Sequence, residues 1–243
     1  KDAVSILSPY YLHSIGASGT DSQLIKPLVL ASAALPPDLK TRILRQGLFV
    51  PTMMYLFKSH IAGEITAAEA HLPAYSLPAE AREDFEGDSP FLDGLLQAAH
   101  QLSHIPPVCR IRILSCVIEN DEGQADERPA YYEDSTYAFA GALRHGQNFV
   151  IDLDLRFSWT DENRPIRRYE NILLRGNADI KPLNEEQSKL QVRIPWNVAG
   201  KDHDFRTDIL LLVHDGAYSS APAYLSVRHI HRLDPLILGI KSR

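Results

Sequence analysis

The chain has 243 residues, 44% of them hydrophobic and 23% charged, which is enough to bury a real core in one large domain or two ordinary ones. Its formal net charge of −6, with Lys and Arg dispersed along the chain, supplies no cationic footprint for phosphates and argues against nucleic acid as a partner. No apolar run approaches the ~18 residues of a membrane span; the longest, 28–35 and 209–213, are of core size. The chain begins at Lys1 and shows no signal-peptide pattern, a feature that leaves export open.

Residues 8–19, rich in Tyr, Ser and Gly, read as an irregular loop. Tyr10 and Tyr11 in it either pack on neighbouring helices or form a binding rim. Helical punctuation follows. Asp21 or Ser22 can cap a helix running to Leu35, Pro36-Pro37-Asp38 opens a second, and Gly47 sits where a C′ residue belongs. A third helix starts at Pro51, with Met53, Met54, Phe57 and Ile61 at helical spacing. A fourth starts at Ser89-Pro90, with Phe91, Leu92, Leu95, Leu96, Ala99 and Leu102 on its apolar face. Between them, residues 64–88 look like a surface crossing.

After Ile105-Pro106-Pro107 the period changes from helical to alternating. Cys109, Ile111 and Ile113 form one apolar row; Ile151, Leu153, Leu155, Phe157 and Trp159 form another, with Asp152, Asp154, Arg156 and Ser158 opposite. Further strands are expected over 169–174, 189–194, 208–214 and 223–231, separated by turn-rich stretches. Residues 134–145 are Ala-rich without alternation and read as a short helix. The fold expectation is α+β: a mostly helical part over 1–105 and an antiparallel, immunoglobulin-like β-sandwich over 106–243.

Cys109 and Cys116 are the only cysteines. On one continuous strand their spacing would put them on opposite faces and ~23 Å apart, beyond disulfide reach, so two free and buried thiols are expected.

Two stretches resemble a known family. Ser158-Trp159-Thr160-Asp161-Glu162-Asn163-Arg164-Pro165-Ile166-Arg167-Arg168-Tyr169 resembles the strand, acidic turn and strand of PKD-like and cadherin-like immunoglobulin folds. The stretch from Leu211 through Val213-His214-Asp215-Gly216 to Ser220-Ala221-Pro222-Ala223 is similar to their final hairpin. The resemblance covers at most Pro107 to Arg232. Asn171 stands where those modules usually place a core Trp. The helical half resembles the front portion of uncharacterised large secreted bacterial proteins. What these resemblances imply is an extracellular or periplasmic protein whose sandwich spaces other domains, contacts a protein, or binds a polymer, sometimes with calcium at an acidic turn.

Candidate chemistry is sparse. Asp161, Glu162 and Asn163 offer hard oxygen ligands for calcium in one turn, although a solvated turn explains them as well. His229 and His231 lie two apart on an expected strand and point the same way, as strand-borne zinc pairs do; an outer polar face gives the same pattern. Trp196 and Tyr218 could stack on sugar rings at the end of the sandwich, or simply cover it, whereas Trp159 belongs to the apolar row. Gly16-Ala17-Ser18-Gly19 falls one residue short of a nucleophile elbow, and Ser14 or Ser18 with His13, His60 or His100 is the weakest of these combinations. No motif demands a cofactor. The leading expectation is a non-catalytic extracytoplasmic binding or assembly module. A hydrolase with its site at the junction of helices and sandwich competes with it, as does a structural spacer.

Overall fold

The computed structural model describes residues 4–7, 11–14, 21–61, 75–76, 90–120, 122–128, 131–134, 136–143, 146–196 and 206–229. Among the described residues four helices lie on the N-terminal side: α1 (Asp21–Ala34), α2 (Pro37–Arg45), α3 (Phe49–Ile61) and α4 (Pro90–His100). α2 shows why its boundaries were legible. Pro37 occupies the first turn, where its missing N–H costs nothing, and Arg42 and Arg45 complement the dipole in the last turn. The helix ends in a Schellman motif: Leu48 N–H reaches Ile43 O at 2.9 Å and Gly47 N–H reaches Leu44 O at 3.2 Å. That closure needs Gly47 at φ +68°.

The helices enclose one core. Leu39 and Ile43 of α2, Met53, Leu56 and Phe57 of α3, and Leu95 and Ala99 of α4 are buried together, with Ala31 and Leu35 from α1 and its exit. Three short strands, β1 (Val4–Leu7), β2 (Tyr11–Ser14) and β3 (Tyr75–Ser76), form a small antiparallel sheet in the order β2-β1-β3. Residues 11–14, read from sequence as irregular, are therefore paired.

The remainder is two five-stranded sheets packed face to face. Strands β4 (Arg112–Asn120), β5 (Ala125–Glu127), β8 (Gln147–Asp154), β10 (Asp179–Pro182) and β11 (Lys189–Pro195) form one, in the order β10-β11-β8-β4-β5. Strands β6 (Tyr131–Asp134), β7 (Tyr137–Leu143), β9 (Arg168–Arg175), β12 (Arg206–His214) and β13 (Ala223–His229) form the other, in the order β6-β7-β13-β12-β9. All pairs are antiparallel except β7 with β13. Ile151, Leu153, Leu190 and Val192 of the first sheet meet Ile209, Leu211, Val213, Leu225 and Val227 of the second in a common core. The α+β class is as expected.

Two β-bulges explain where the sequence misled. The expected helix over 134–145 is instead the end of β6 and the whole of β7. In β7 the pairing with β13 passes from Phe139 to Gly141 and leaves Ala140 unpaired, so the buried positions run Ala138, Ala140, Leu143, and strict alternation is lost. In β4 the register skips Leu114, which is half exposed, and carries the inward row from Cys109, Ile111 and Ile113 on to Cys116 and Ile118. Both thiols thus enter the same core rather than opposite faces. They are free.

The row through Trp159 also departs from expectation. β8 ends at Asp154, and a turn closed by Ser158 N–H to Leu155 O at 3.0 Å leaves Phe157 exposed beneath the Arg112 guanidinium, 3.5 Å from its ring centre. Trp159 packs against the helical core instead of the sandwich core. Its backbone exchanges two 2.9 Å hydrogen bonds with Val108, just after the chain leaves the helices.

The two outer sheet faces differ. On the β7-β13-β12 side, Asp208, Leu210, Tyr224 and Ser226 alternate with the core row, yet all are fully buried, so the middle of that face is covered, while Arg228 at its end is exposed. Asp208 is compensated there: Arg206 Nε and Arg175 Nε each stand 2.8 Å from its carboxylate, and the Ser226 hydroxyl donates to it. The β4-β8-β11 face remains partly solvated. Across it Ser115 Oγ and Gln191 Nε2 each donate to Asp152 at 3.0 Å, and Arg193 pairs with Glu119 at 2.7 Å.

Candidate functional site

A chain of polar side chains lies where helices and sandwich meet. Past α4, Leu102 and Ile105 anchor in the helical core, which holds the intervening Ser103 outward and His104 inward. From the other side comes the turn between β12 and β13. Asp215 Oδ1 accepts the backbone N–H groups of Ala217 (2.9 Å) and Tyr218 (2.8 Å), an Asx-type turn that Gly216 completes at φ +102°. That geometry aims the second oxygen at His104. Asp215 Oδ2 and His104 Nε2 stand 2.6 Å apart, with both side chains buried.

Burial pushes the Asp215 carboxyl up, but the Tyr218 N–H, the His104 imidazole and the Ala217 N–H together outweigh it and hold it below the usual carboxylate range. The acid is therefore ionised at neutral pH and accepts from Nε2–H. The other ring nitrogen, Nδ1, faces Ser103 Oγ at 2.9 Å. Tyr218 Oη lies 3.1 Å from the same Oγ and accepts the Ser103 backbone N–H at 3.0 Å. The Tyr218 ring rests against His104 at 4.5 Å between centroids and against Tyr55 at 5.6 Å. The resulting chain runs Tyr218, Ser103, His104, Asp215, from an exposed hydroxyl to a buried carboxylate.

A second polar link spans the same junction. Asp161 is buried; one carboxylate oxygen pairs with Arg42 of α2 and the other accepts the Ile105 N–H at 3.0 Å. Glu162 adds a 3.4 Å contact to Arg42. Glu162 and Asn163 both adopt left-handed backbone, φ 53° and 56°, a conformation costly for residues bearing a Cβ. Both Asp161 oxygens are thus committed to protein groups, and a calcium ion at this turn would have to displace Arg42.

The other sequence candidates are dispersed. His229 is buried with Nε2 2.8 Å from Thr207 Oγ1, and His231 lies outside the described residues. Among the described residues no three His, Cys, Asp or Glu side chains converge as metal ligands. Trp196 is half-buried against the sandwich core, with its backbone N–H on Gln147 O at 2.9 Å, whereas Tyr218 packs against the helical core. They form no shared platform. Tyr10 and Ser18 lie outside the described residues, and Tyr11, His13 and Ser14 enter through their backbone pairing with Leu7, Ser5 and Val4. His100 is exposed at the end of α4. No helix among the described residues is long and apolar enough to cross a membrane.

Sequence reasoning singled out Tyr218 but missed Ser103, His104 and Asp215 as a set. Asp215-Gly216 was legible only as a turn. Its available signal was an Asp able to bond two following N–H groups with one oxygen, leaving the other to point elsewhere.

The chain matches no family model and no curated protein. Among solved structures it is similar to a nucleoside hydrolase-related hypothetical protein from Saccharophagus degradans that is associated with carbohydrate metabolism. The identity is 18% and the TM-score 0.31, over 62% of this chain and 31% of that one.

Proposed function

We propose that the chain is an extracytoplasmic binding or assembly module, a PKD-like sandwich fastened to a helical part and offering one sheet face to a polymer. The observation that carries this reading is the contrast between the two outer faces. The middle of one is covered, at Asp208, Leu210, Tyr224 and Ser226; the other, β4-β8-β11, is partly solvated and polar along its length.

The chemistry of the open face fits a polysaccharide better than an apolar protein partner. Ser115, Asp152 and Gln191 lie directly across from one another on three adjacent strands, and their mutual hydrogen bonds hold them in place before any ligand arrives. Arg193 and Glu119 extend the row, and Arg112 over Phe157 sits at its rim. Donors and acceptors set at strand spacing, with an aromatic ring at the edge, match the alternating hydroxyls and apolar faces of a sugar chain. The compartment follows from the PKD-like resemblance alone.

Affinity electrophoresis of the chain through gels containing neutral and acidic polysaccharides tests the reading. Retardation is expected on at least one polymer and is lost in the double variant Asp152→Ala, Gln191→Ala with the melting curve retained. Equal mobility of the wild type and this variant on every polymer would refute it.

A further inference from the structure

We propose that Ser103, His104 and Asp215 form a serine-type acyl-hydrolysis centre, with Tyr218 as the neighbouring hydroxyl donor. This goes beyond the binding reading and stands on a different part of the molecule. Four features carry it.

The order of groups is that of an activated nucleophile: hydroxyl, imidazole and carboxylate in hydrogen-bond contact at 2.9 and 2.6 Å. Their depth is graded in the required sense, with Ser103 exposed to an incoming substrate while His104 and Asp215 are buried. The carboxylate is fixed independently of the imidazole, because its Oδ1 is held by two backbone N–H groups while Oδ2 faces Nε2. Finally, these residues come from opposite sides of the junction, 111 positions apart for His104 and Asp215. Local sequence proximity explains Ser103 beside His104. It does not explain a buried Asp on the far imidazole nitrogen.

The chemistry balances with water as the only co-reactant. Ser103 Oγ bonds to the acyl carbon of a carboxylic ester while its proton passes to His104 Nδ1; Asp215 stabilises the imidazolium at Nε2. The ester C–O bond breaks and the leaving alkoxide takes the proton from Nδ1. Water then attacks the acyl-serine, giving its proton to Nδ1, and Ser103 is restored as the carboxylic acid departs. The Tyr218 hydroxyl, 3.1 Å from Oγ, is the nearest side-chain donor assigned to the oxygen on which charge would develop. Because Ser103 is exposed, the substrate class is an ester presented at a surface. Asp215 is a positioning residue, since it acts through His104.

The test treats the full chain with a fluorophosphonate probe, maps the adduct by peptide mass spectrometry, and follows p-nitrophenyl acetate turnover. A single adduct on Ser103 is expected, absent from Ser103→Ala. His104→Gln should slow its formation by about 10²–10⁴-fold. Asp215→Asn should lower the labelling rate at saturating probe and leave the half-saturating probe concentration unchanged, a split that a merely structural role does not produce. If the His104 and Asp215 variants fail to fold, the wild type still decides. A folded wild-type chain that leaves Ser103 unmodified, beside a labelled serine hydrolase in the same tube, overturns the proposal. So does labelling of Ser103 that is undiminished in folded His104→Gln. Polysaccharide retention is read on another sheet face, so either proposal can fail while the other stands.

Discussion

Gly176→Ala and Gly47→Ala form a matched pair in which the same change meets two different surroundings. Both glycines have left-handed backbone, φ +80° and +68°, so each alanine incurs a strain of about 1 kcal/mol. At Gly47 the new methyl meets nothing within 4 Å, and the strain is the whole effect. At Gly176, in the turn between β9 and β10, it would sit 2.2 Å from Thr207 Oγ1 and 2.8 Å from Thr207 Cα. The hydroxyl could rotate away, but the Cα is backbone of the buried β12 and can move only with its strand. Overpacking of this kind adds about 1–3 kcal/mol. Turning the hydroxyl also breaks its 2.8 Å bond to His229, another ~1 kcal/mol. The expected cost is about 4 kcal/mol at Gly176 against about 1 kcal/mol at Gly47. For a chain of this size that means a melting temperature lowered by about 12 °C against about 3 °C. Urea unfolding and thermal melts followed by circular dichroism measure both. Equal destabilisation of the two variants would refute the argument, because it would mean that the approach of Thr207 to Gly176 has no energetic consequence.

Three further outcomes follow from buried polar groups. Arg42→Ala strands the buried Asp161 carboxylate with the Ile105 N–H alone; because Arg42 is 36% exposed, the full cost of a broken buried pair is reduced to about 2 kcal/mol. A double-mutant cycle in urea with Asp161→Asn should show coupling well above zero, and additive single effects would contradict the pairing. Asp215 and Asp154 both titrate below the ordinary carboxylate value: burial opposes the shift in each case, the N–H and His104 contacts outweigh it at Asp215, and Arg156 outweighs it at Asp154. A depressed folded pKa contributes stability that is complete above about pH 4 and lost as the pH falls through the folded value. The wild type should therefore lose stability more steeply than Asp215→Asn between about pH 5 and pH 2, and parallel curves would count against that assignment. Burial pushes the Cys109 and Cys116 thiols up to about 12 and about 11. Neither should react with a disulfide reagent at pH 8 in the native chain, while both react in urea; native labelling of either would show that the β4 bulge does not turn both inward.

How much was legible depended on whether the signal was local. α2 was readable because proline, terminal arginines and Gly47 act within a few residues of where they stand. The strands β8, β9, β11, β12 and β13 were readable because side chains alternate along a paired strand whatever its partner is. β7 was not, since the bulge at Ala140 shifts the inward face by one residue and is set by its pairing with β13, over eighty residues away in the chain. Trp159 failed for a similar reason: its alternation continued that of β8, but the chain turns at Leu155 and delivers the ring to another core.

The sequence by itself determined the α+β class, the change of period after Pro107, the free cysteines and the acidic balance, all of which follow from composition or near-neighbour geometry. Tertiary structure alone decided that Asp161 is an ion-pair partner of Arg42, that the middle of one outer sheet face is covered while the other is partly solvated, and that Asp215 reaches His104. Each of these depends on which distant segment comes to lie opposite. A side chain's type announces what it can bond to, but only packing determines what stands within 3 Å of it.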